Sequence, residues 1–363
     1  MKNPRTVLVT GGCGFIGANF IRLVARTFPH WRLINLDKLT YAGNLTNLKD
    51  MEEGETYRFI KGDICDAALV DEIFSGEVID TVVHFAAESH VDRSITGPAE
   101  FVQTNIVGTF TLLESARHHW LEKKLVGGQP VFLHVSTDEV YGSLGETGLF
   151  RETTAYDPRS PYSASKASSD HLANAYFHTY GVPVMITNCS NNYGPYQFPE
   201  KLIPLIFHNC LEGRKLPVYG DGKQIRDWLY VGDHCQAIVE VLEKGSVGHC
   251  YNIGGNNEKE NIEVVELICD ILDEKLDLLP SGASRRSLIT FVTDRLGHDR
   301  RYAIDSTKIK DTVGWQPKVT FEEGIRMTID WYLDNREWVN RVIDGSYAEY
   351  YHNMYDNKKN IGQ

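Results

Sequence analysis

Three closely spaced glycines that follow a short apolar run constrain the fold of this chain most. Thr6 to Thr10 is rich in β-branched residues and predicts a buried strand. Gly11, Gly14 and Gly17 come next, and residues 15–25 have the apolar spacing of a helix. The glycines therefore lie in a strand-to-helix turn, where bare backbone N–H groups and the positive end of a helix favour an anionic ligand.

An acidic residue after the second apolar run indicates which dinucleotide this turn holds. Residues 33–36 form the run, and Asp37 ends it about 20 residues beyond the glycines. A carboxylate there accepts hydrogen bonds from both ribose hydroxyls and repels a 2′-phosphate, so the pattern favours NAD over NADP. Lys38 is a neighbouring cation that partly offsets this repulsion. A glycine turn with an unrelated surface Asp is the alternative, which the strand, helix and acid together disfavour.

Strand and helix patterns alternate along the first half of the chain. Apolar runs at 57–60, 81–85 and 131–135 are separated by helical patterns at 67–74 and 99–120. This alternation predicts an α/β fold with a Rossmann-like doubly wound parallel sheet. Ligands of such sheets bind at the carboxyl ends of the strands. The residues at those ends are Asp63, Ala86 to Ser89 and Ser136 to Glu139.

Tyr162 and Lys166 are four residues apart in a segment that begins a helix. Pro161 suits the first helical turn, and the spacing places both side chains on one face. An ammonium beside a phenol favours the phenolate, which lowers the phenol pKa from about 10 toward working pH. Tyr162 is therefore a candidate base for a sugar hydroxyl whose carbon gives a hydride to nicotinamide. Taken alone, an ordinary exposed pair at this spacing is the commoner case.

Seven longer segments carry a family resemblance over nearly the whole chain. They are Asp37 to Asn44, Ala86 to Ser94, Thr137 to Gly142, Asn191 to Pro195, Phe198 to Lys201, Arg226 to Trp228 and Asp294 to Asp299. With them the sequence resembles the extended short-chain dehydrogenase/reductases and, within that superfamily, the dTDP-glucose 4,6-dehydratase family. The family usually has Pro where this chain has Leu296, a difference that bears on the local rigidity of that loop.

The resemblance implies an NAD-dependent lyase that converts dTDP-glucose to a 4-keto-6-deoxy sugar nucleotide and water. In the family, oxidation at C4 acidifies the C5 proton, a carboxylate removes it, a carboxylic acid protonates the leaving C6 hydroxyl, and hydride returns to C6. Glu139 matches the base and Asp138 the acid. Thr137 matches the hydroxyl that bonds the C4 oxygen, and Tyr162 and Lys166 complete the catalytic set.

Asp138 and Glu139 are neighbours in sequence, which sets a condition on the backbone. Adjacent residues of a strand point to opposite faces, so both acids serve one sugar only if the chain leaves strand geometry there. Residues 141–142, Tyr and Gly, favour such a break. Two solvated acids at a strand end are the alternative, which the presence of Thr137 and Tyr162 disfavours.

The resemblance also implies binding residues. Those for NAD are Gly11, Gly14, Phe15, Ile16, Gly17, Asp37, Lys38, Leu39, Thr40, Gly43, Asp63, Ile64, Ala86, Ala87, Ser89, Thr104, Tyr162, Lys166 and Asn192. Those for the nucleotide sugar are Ser89, Thr137, Asn191, Glu200, Lys201, Leu202, Pro217, Tyr219, Arg226, Asn261, Arg295 and His298. No metal site is expected, because His84, His90 and His298 lack ligand spacing. His84 lies inside an apolar strand and is expected to be a hydrogen-bonded core histidine.

Composition bounds the class of protein. The chain has 363 residues, 42% of them hydrophobic, and no apolar run near the ~20 residues that span a bilayer, so a soluble protein without membrane contact is expected. Residues 1–5 are too short and polar for a secretory signal. The seven cysteines are scattered without C-x-x-C spacing, so reduced thiols and a cytoplasmic location are expected.

The net charge of −12 argues against nucleic acids as partners. A nucleotide sugar is also anionic, so local cations must cancel the repulsion. Lys201, Arg226 and Arg295 are the candidates, since arginine can fork onto phosphate oxygens. A solvated surface charge is the usual alternative for an arbitrary arginine.

No repeat or Pro/Gly linker divides the chain, so two interleaved lobes are expected. Residues 1–190 form the predicted NAD-binding lobe, and residues 191–227 with 256–350 form the predicted sugar-nucleotide lobe. Residues 228–255 contain a helical pattern and a short strand, and they are expected to rejoin the first lobe. The tail at 355–363 is expected to be frayed.

The resemblance implies an assembly as well. Helices at 99–120 and 161–180 have family counterparts that pair across a two-fold axis into a four-helix bundle, so a homodimer is expected. The resemblance alone carries this expectation.

Two alternatives stay open. Another nucleotide-sugar enzyme of the superfamily, such as an epimerase or a GDP-mannose dehydratase, is one. An epimerase does not need Asp138, and an NADP user should not have Asp37. A non-catalytic NAD-binding regulator is the other, and it would need none of the five catalytic candidates.

Overall fold

A computed structural model describes residues 5–126 and 128–343. Its largest element is a sheet of seven parallel strands, numbered in chain order: β1 (Thr6–Thr10), β2 (Arg32–Asp37), β3 (Tyr57–Lys61), β4 (Thr81–His84), β5 (Val131–Thr137), β6 (Val184–Cys189) and β10 (Cys250–Ile253). The spatial order is β10-β6-β5-β4-β1-β2-β3. The order reverses between β1 and β4, so the predicted doubly wound parallel sheet is confirmed.

Helices cover both faces of this sheet. One face carries α1 (Phe15–Thr27), α8 (Val231–Lys244) and α10 (Thr307–Val313). The other carries α2 (Ala67–Glu77), α5 (Thr109–Ala116) and α6 (Pro161–Tyr180). Strand β1 serves both layers, because Val7 and Val9 join the first core and Leu8 joins the second. A strand buried on both faces is apolar throughout, which is the pattern seen in the sequence.

The helix predicted over 99–120 is a continuous helical segment with two widened stretches. After α3 (Val91–Thr96) come α4 (Pro98–Phe101), a π-helical stretch (Val102–Gly108), α5 and a second π-helical stretch (Arg117–Glu122). In the first stretch, Asn105 exchanges hydrogen bonds with the backbone of Glu88 and donates to Ser165 Oγ. Apolar periodicity did not indicate these wider turns, which are frequent at functional sites.

A separate core is built around two small sheets. One has the order β11-β9-β7, and the other pairs β12 with β8. Their strands are β7 (Asn191–Tyr193), β8 (Leu216–Tyr219), β9 (Ile225–Tyr230), β11 (Glu258–Glu260) and β12 (Ile289–Val292). The helices packed with them are α7 (Leu202–Glu212), α9 (Asn261–Lys275), α11 (Phe321–Asp334) and α12 (Arg336–Val342). Phe207, Ile268 and Ile329 are among the buried side chains of this core.

The helix and strand predicted within 228–255 are confirmed as α8 and β10. α8 packs against α1, and β10 pairs in parallel with β6. We propose that the boundary between the two predicted lobes follows these sheets. Residues 344–350 of the second lobe and the tail at 355–363 lie outside the described residues. Among the helices described, none combines the length and the apolar character needed to cross a bilayer.

Candidate active site

The glycine turn between β1 and α1 has no space for side chains. Gly11 has a left-handed backbone with φ of +70°, and a Cβ there would lie 2.7 Å from Ala86 Cα. A Cβ on Gly17 would lie 2.4 Å from Gly11 O. α1 begins at Phe15 without a side-chain cap, so its first N–H groups are available to a ligand. The turn therefore has the form of an anion-binding helix N-terminus.

Asp37 is held in place by the backbone at the end of β2. Its Oδ2 accepts from Cys13 N at 2.9 Å, and its Oδ1 accepts from Leu39 N at 2.8 Å. Burial raises the pKa of Asp37, and these two N–H donors oppose the rise. A Cβ on Gly43 would lie 2.7 Å from Asp37 Oδ1, so this glycine keeps one edge of the carboxylate open. The lone pairs that remain can accept ribose hydroxyls.

Lys38 has a partner of its own. Its Nζ lies 2.8 Å from Asp63 Oδ2, at the end of the neighbouring strand. The sequence suggested that Lys38 partly offsets the repulsion exerted by Asp37. The structure pairs this charge with Asp63, which leaves less of it to offset Asp37.

Two adjoining cavities, of about 350 and 180 Å³, open at the carboxyl ends of the strands. All the predicted NAD residues except Leu39 line the larger cavity. The Leu39 N–H instead donates to Asp37 Oδ1. Of the predicted sugar-nucleotide residues, Ser89 and Thr137 line the larger cavity and the others line the smaller one. The residues shared by both cavities are Glu139, Asn191, Glu200, Lys201, Leu202 and Trp228.

The chain leaves strand geometry directly after Thr137, as the sequence required. β5 ends there, and Asp138–Tyr141 forms a single 3₁₀ turn. Thr137 Oγ1 caps this turn by accepting from Glu139 N at 3.3 Å. Asp138 and Glu139 consequently both line the larger cavity, and Glu139 also reaches the smaller one. Because of this turn, two adjacent residues can both face one ligand.

The two acids of this turn have different surroundings. Asp138 is 1% exposed, and its Oδ2 has no hydrogen-bond partner among the described residues. Burial, followed by the charge of Glu139, raises the pKa of Asp138 well above its usual range. Burial also raises the pKa of Glu139, but Arg295, Lys201 and Arg226 oppose the rise. The environment of Asp138 therefore suits a general acid, and the environment of Glu139 suits a general base.

Tyr162 and Lys166 lie on one face of α6 and line the larger cavity. Both are buried. Lys166 Nζ donates to Val135 O at 2.9 Å. The sequence predicted that Lys166 lowers the pKa of Tyr162, but burial raises that pKa well above 10, and the charge of Glu139 adds to the rise. The direction was wrong because the depth of the phenol in the crevice could not be seen in the sequence.

Three cations that were expected to meet phosphate line the smaller cavity. Lys201 Nζ donates to Ser89 O at 2.8 Å. The buried Arg226 lies over the Tyr302 ring at 4.3 Å and donates to two backbone carbonyls, so it is no solvated surface charge. Arg295 Nε lies 3.9 Å from Asp92 Oδ1. The cavity therefore places three cations within reach of an anionic ligand, beside the carboxylates of Asp92, Glu139 and Glu200.

Glu200 lies in the wall between the cavities. Its Oε1 accepts from Tyr41 OH at 3.1 Å, and its Oε2 accepts from Arg93 Nε at 3.1 Å. The Arg93 guanidinium lies 3.8 Å from the centre of the Tyr41 ring. This buried carboxylate thus joins the loop after β2 to the segment around α3.

His84 is a hydrogen-bonded core histidine, as the sequence predicted. Its Nδ1 lies 2.7 Å from Thr10 Oγ1, and its Nε2 lies 3.0 Å from Thr109 Oγ1. Within the described residues, no cluster of His, Cys, Asp and Glu has the arrangement of a metal site.

Sequence reasoning missed several residues that line the cavities. In the larger cavity they include Gln197 and Trp228, and in the smaller one His90, Asp92 and Tyr302. The family segments at 86–94 and 226–228 contain His90, Asp92 and Trp228, and Gln197 directly precedes the segment at 198–201, so those segments held the signal. Tyr302 had none, because it reaches the cavity through its packing on Arg226.

Comparison with known proteins identifies the family. A family model described as GDP-mannose 4,6 dehydratase matches residues 8–328. A relative from Xanthomonas campestris pv. campestris (strain B100), named dTDP-glucose 4,6-dehydratase, is 60% identical over 94% of this chain and 97% of its own. The chain belongs to the dTDP-glucose 4,6-dehydratase family. The relative named dTDP-glucose 4,6-dehydratase 1 from Escherichia coli (strain K12) is 54% identical over 97% of this chain and 99% of its own.

Solved structures of the dTDP-glucose 4,6-dehydratase family have the same fold. The enzyme from Bacillus anthracis str. Ames in complex with NAD has a TM-score of 0.83 and 48% identity, over 93% of this chain and 99% of its own. The enzyme from Streptomyces venezuelae with NAD and TYD bound has a TM-score of 0.84 and 46% identity, with the same coverage. A UDP-glucose 4-epimerase from Thermotoga maritima is 28% identical, with a TM-score of 0.79 over 91% of this chain and 99% of its own. The fold is therefore retained in this epimerase although its sequence identity to the chain is much lower.

Proposed function

We infer that the protein is an NAD-dependent hydro-lyase that converts dTDP-glucose to dTDP-4-keto-6-deoxyglucose and water. One observation carries this inference beyond family membership. The turn at the end of β5 holds Asp138 and Glu139 in the same cavity as Tyr162 and the glycine turn. Hydride transfer requires the tyrosine, whereas only an elimination requires the additional acid and base.

The larger cavity fits NAD, which when bound takes the hydride from C4 of the sugar and returns it to C6. The glycine turn and the start of α1 would hold the pyrophosphate. Asp37 would accept the ribose hydroxyls on its open edge, where Gly43 leaves room. The bare backbone N–H groups of the turn suit a pyrophosphate, and the positioned carboxylate of Asp37 suits a ribose.

Tyr162 would take the C4 hydroxyl proton while Thr137 bonds the C4 oxygen. Burial favours the neutral phenol, so Tyr162 needs a cation to become a base at working pH. Lys166, one helical turn away, supplies that cation. Its bond to Val135 O fixes the ammonium in the crevice.

Elimination would divide between the two acids of the turn. Glu139, facing Arg295, Lys201 and Arg226, is the carboxylate that removes the C5 proton. Asp138, which is buried and keeps its proton, protonates the departing C6 hydroxyl. The contrast between the two environments assigns the two roles.

The smaller cavity would hold the nucleoside diphosphate. Arg226, Arg295 and Lys201 are the cations available to the diphosphate oxygens. The structure from Streptomyces venezuelae has TYD bound alongside NAD, which supports a thymidine nucleotide for this protein as well.

An isotope experiment tests the complete reaction. If the hydride that leaves C4 is the one delivered to C6, deuterium at C4 of dTDP-glucose should appear at C6 of the product, without consumption of added NAD. C5 should acquire a hydrogen from solvent through Glu139. Mass spectrometry and NMR of the product measure both. Deuterium that stays at C4 would indicate an epimerase, and deuterium lost to solvent would exclude the internal transfer.

We also propose a homodimer formed through the helices at 98–122 and 161–180. Val102, Phe110 and Tyr180 are large apolar residues that remain exposed on these helices. Such faces suit a four-helix bundle. Light scattering at micromolar concentration should give twice the chain mass. Phe110→Glu should shift the protein toward monomer, and Leu278→Glu, at an exposed site outside these helices, should not.

A cytoplasmic location is the remaining part of this proposal. All seven cysteines are free thiols, and five of them are buried. Such a set suits a reducing compartment.

A further inference from the structure

One buried carboxylate near the active site has no part in the reaction as described so far. Asp170 lies on α6, four residues after Lys166 and eight after Tyr162, so the three side chains follow one face of the helix. Asp170 is completely buried. A buried carboxylate is costly unless charges and hydrogen bonds compensate it.

One oxygen of Asp170 accepts hydrogen bonds from neighbouring elements, and the other faces a histidine without a hydrogen bond. Oδ2 accepts from Ser136 Oγ at 2.9 Å and from Tyr156 OH at 2.9 Å. Oδ1 lies 3.1 Å from His134 Nε2. Ser136 lies two residues before the catalytic turn, Asp138–Tyr141, so Asp170 ties α6 to the end of β5.

Asp170 and Lys166 compensate each other electrically. Burial lowers the pKa of Lys166, and the charge of Asp170 is the largest influence that opposes this. Burial raises the pKa of Asp170 to about 6, and Lys166 is again the largest opposing influence. His134 does not supply the positive charge, because burial lowers its pKa well below 6.5 and leaves it neutral.

We propose that Asp170 is a positioning residue, a buried counter-ion that keeps Lys166 as an ammonium and fixes α6 against the catalytic turn. The catalytic consequence rests on the proposed function: an uncharged Lys166 could not stabilise the Tyr162 phenolate. The contact geometry of Asp170 stands independently of that function.

Several other groups face this pair, and within the described residues Asp170 is the one carboxylate whose charge acts on Lys166. Those facing Asp170 are His134 and Ser136 of β5, His171 of α6, Tyr156, Tyr141 and Cys250. Those facing Lys166 are His84 of β4, His134 of β5 and Cys189 of β6. All the histidines of β4 and β5 in this group have pKa values lowered by burial, so their charge does not change above neutral pH.

The direct test is an NMR titration of Lys166 in NAD-loaded protein that is isotopically labelled at the lysine ε-carbon. The signal is assigned by its loss in Lys166→Met. Asp170→Asn should lower the Lys166 pKa by about one to three units, the usual effect of a near opposite charge. Tyr156→Phe removes a hydrogen bond to the same carboxylate but keeps its charge, so it should leave this titration unchanged. An unchanged titration in Asp170→Asn would overturn the proposal.

A kinetic measurement connects the counter-ion with the reaction. In Asp170→Asn, the rate of cofactor reduction by dTDP-glucose should begin to fall at a lower alkaline pH than in unaltered protein. The displacement should equal the shift in the Lys166 pKa. We expect kcat to be reduced and KM to be unchanged. If unaltered protein shows no cofactor reduction while the Lys166 titration still shifts, the proposed function fails and the counter-ion role stands. If reduction occurs normally and the titration does not shift, the counter-ion role fails alone.

A second variant covers the case in which Asp170→Asn does not fold. Asp170→Glu keeps the charge one methylene group further from the backbone, so the Lys166 titration should stay close to that of unaltered protein. A downward shift of the size expected for Asp170→Asn would then contradict the proposal.

Discussion

Replacing Tyr162 by Phe is expected to slow oxidation at C4 by about 10²- to 10⁴-fold, the range over which a positioned base contributes. The substitution removes only the hydroxyl, and the ring keeps its edge-on contact with Phe101 at 6.2 Å between centroids. Fold and NAD binding should therefore persist. Single-turnover measurement of cofactor reduction with dTDP-glucose gives the rate, and thermal unfolding gives the stability.

Tyr180→Phe is the matched control for this variant. Tyr180 ends the same helix but is half exposed, outside both cavities. The same loss of a hydroxyl there should leave the rate unchanged. Near-normal turnover by Tyr162→Phe would exclude Tyr162 as the base, and another group of the larger cavity would then have to take the proton of the C4 hydroxyl.

Most strands and helices of the large sheet were predictable because their signals are local, although β6 (Val184–Cys189) was not predicted. β1 to β5 are short apolar runs, and α1, α6 and α8 have helical spacing with clear starts, such as Pro161 in the first turn of α6. The sequence predicted a doubly wound parallel sheet, but it did not predict the order of the strands within that sheet. That β10 lies beside β6 depends on contacts between residues far apart in sequence, which no local pattern encodes.

The site residues also fall into those that the sequence could locate and those that depend on tertiary contacts. Gly11, Asp37 and the catalytic turn could be located because each lies at or directly after the end of a strand, and strand ends meet at one edge of the sheet. The contact of Asp170 with Ser136 joins residues 34 apart, and that of Glu200 with Tyr41 joins residues 159 apart. Such pairings, and the burial that controls each pKa, arise only from the tertiary structure.

Glu139→Gln is expected to separate the two halves of the reaction. Glutamine has nearly the same shape as glutamate but cannot accept the C5 proton, whereas Tyr162 and Lys166 are untouched. Oxidation at C4 should therefore proceed, and elimination should slow by about 10²- to 10⁴-fold. Reduced cofactor and a 4-keto-glucose nucleotide should accumulate on the protein, and absorbance and mass spectrometry of the quenched mixture detect them.

Asp138→Asn is the matched comparison, because it changes the neighbouring acid by the same replacement of carboxyl by amide. Asparagine cannot protonate the C6 hydroxyl, so loss of water should again be slow, but Glu139 remains able to remove the C5 proton. In deuterated water, the sugar recovered from Asp138→Asn should carry deuterium at C5, and that recovered from Glu139→Gln should not. The environments of the two acids predict this difference, since cations face Glu139 and burial keeps the proton on Asp138. Rapid C5 exchange or normal water loss in Glu139→Gln would show that another group is the base.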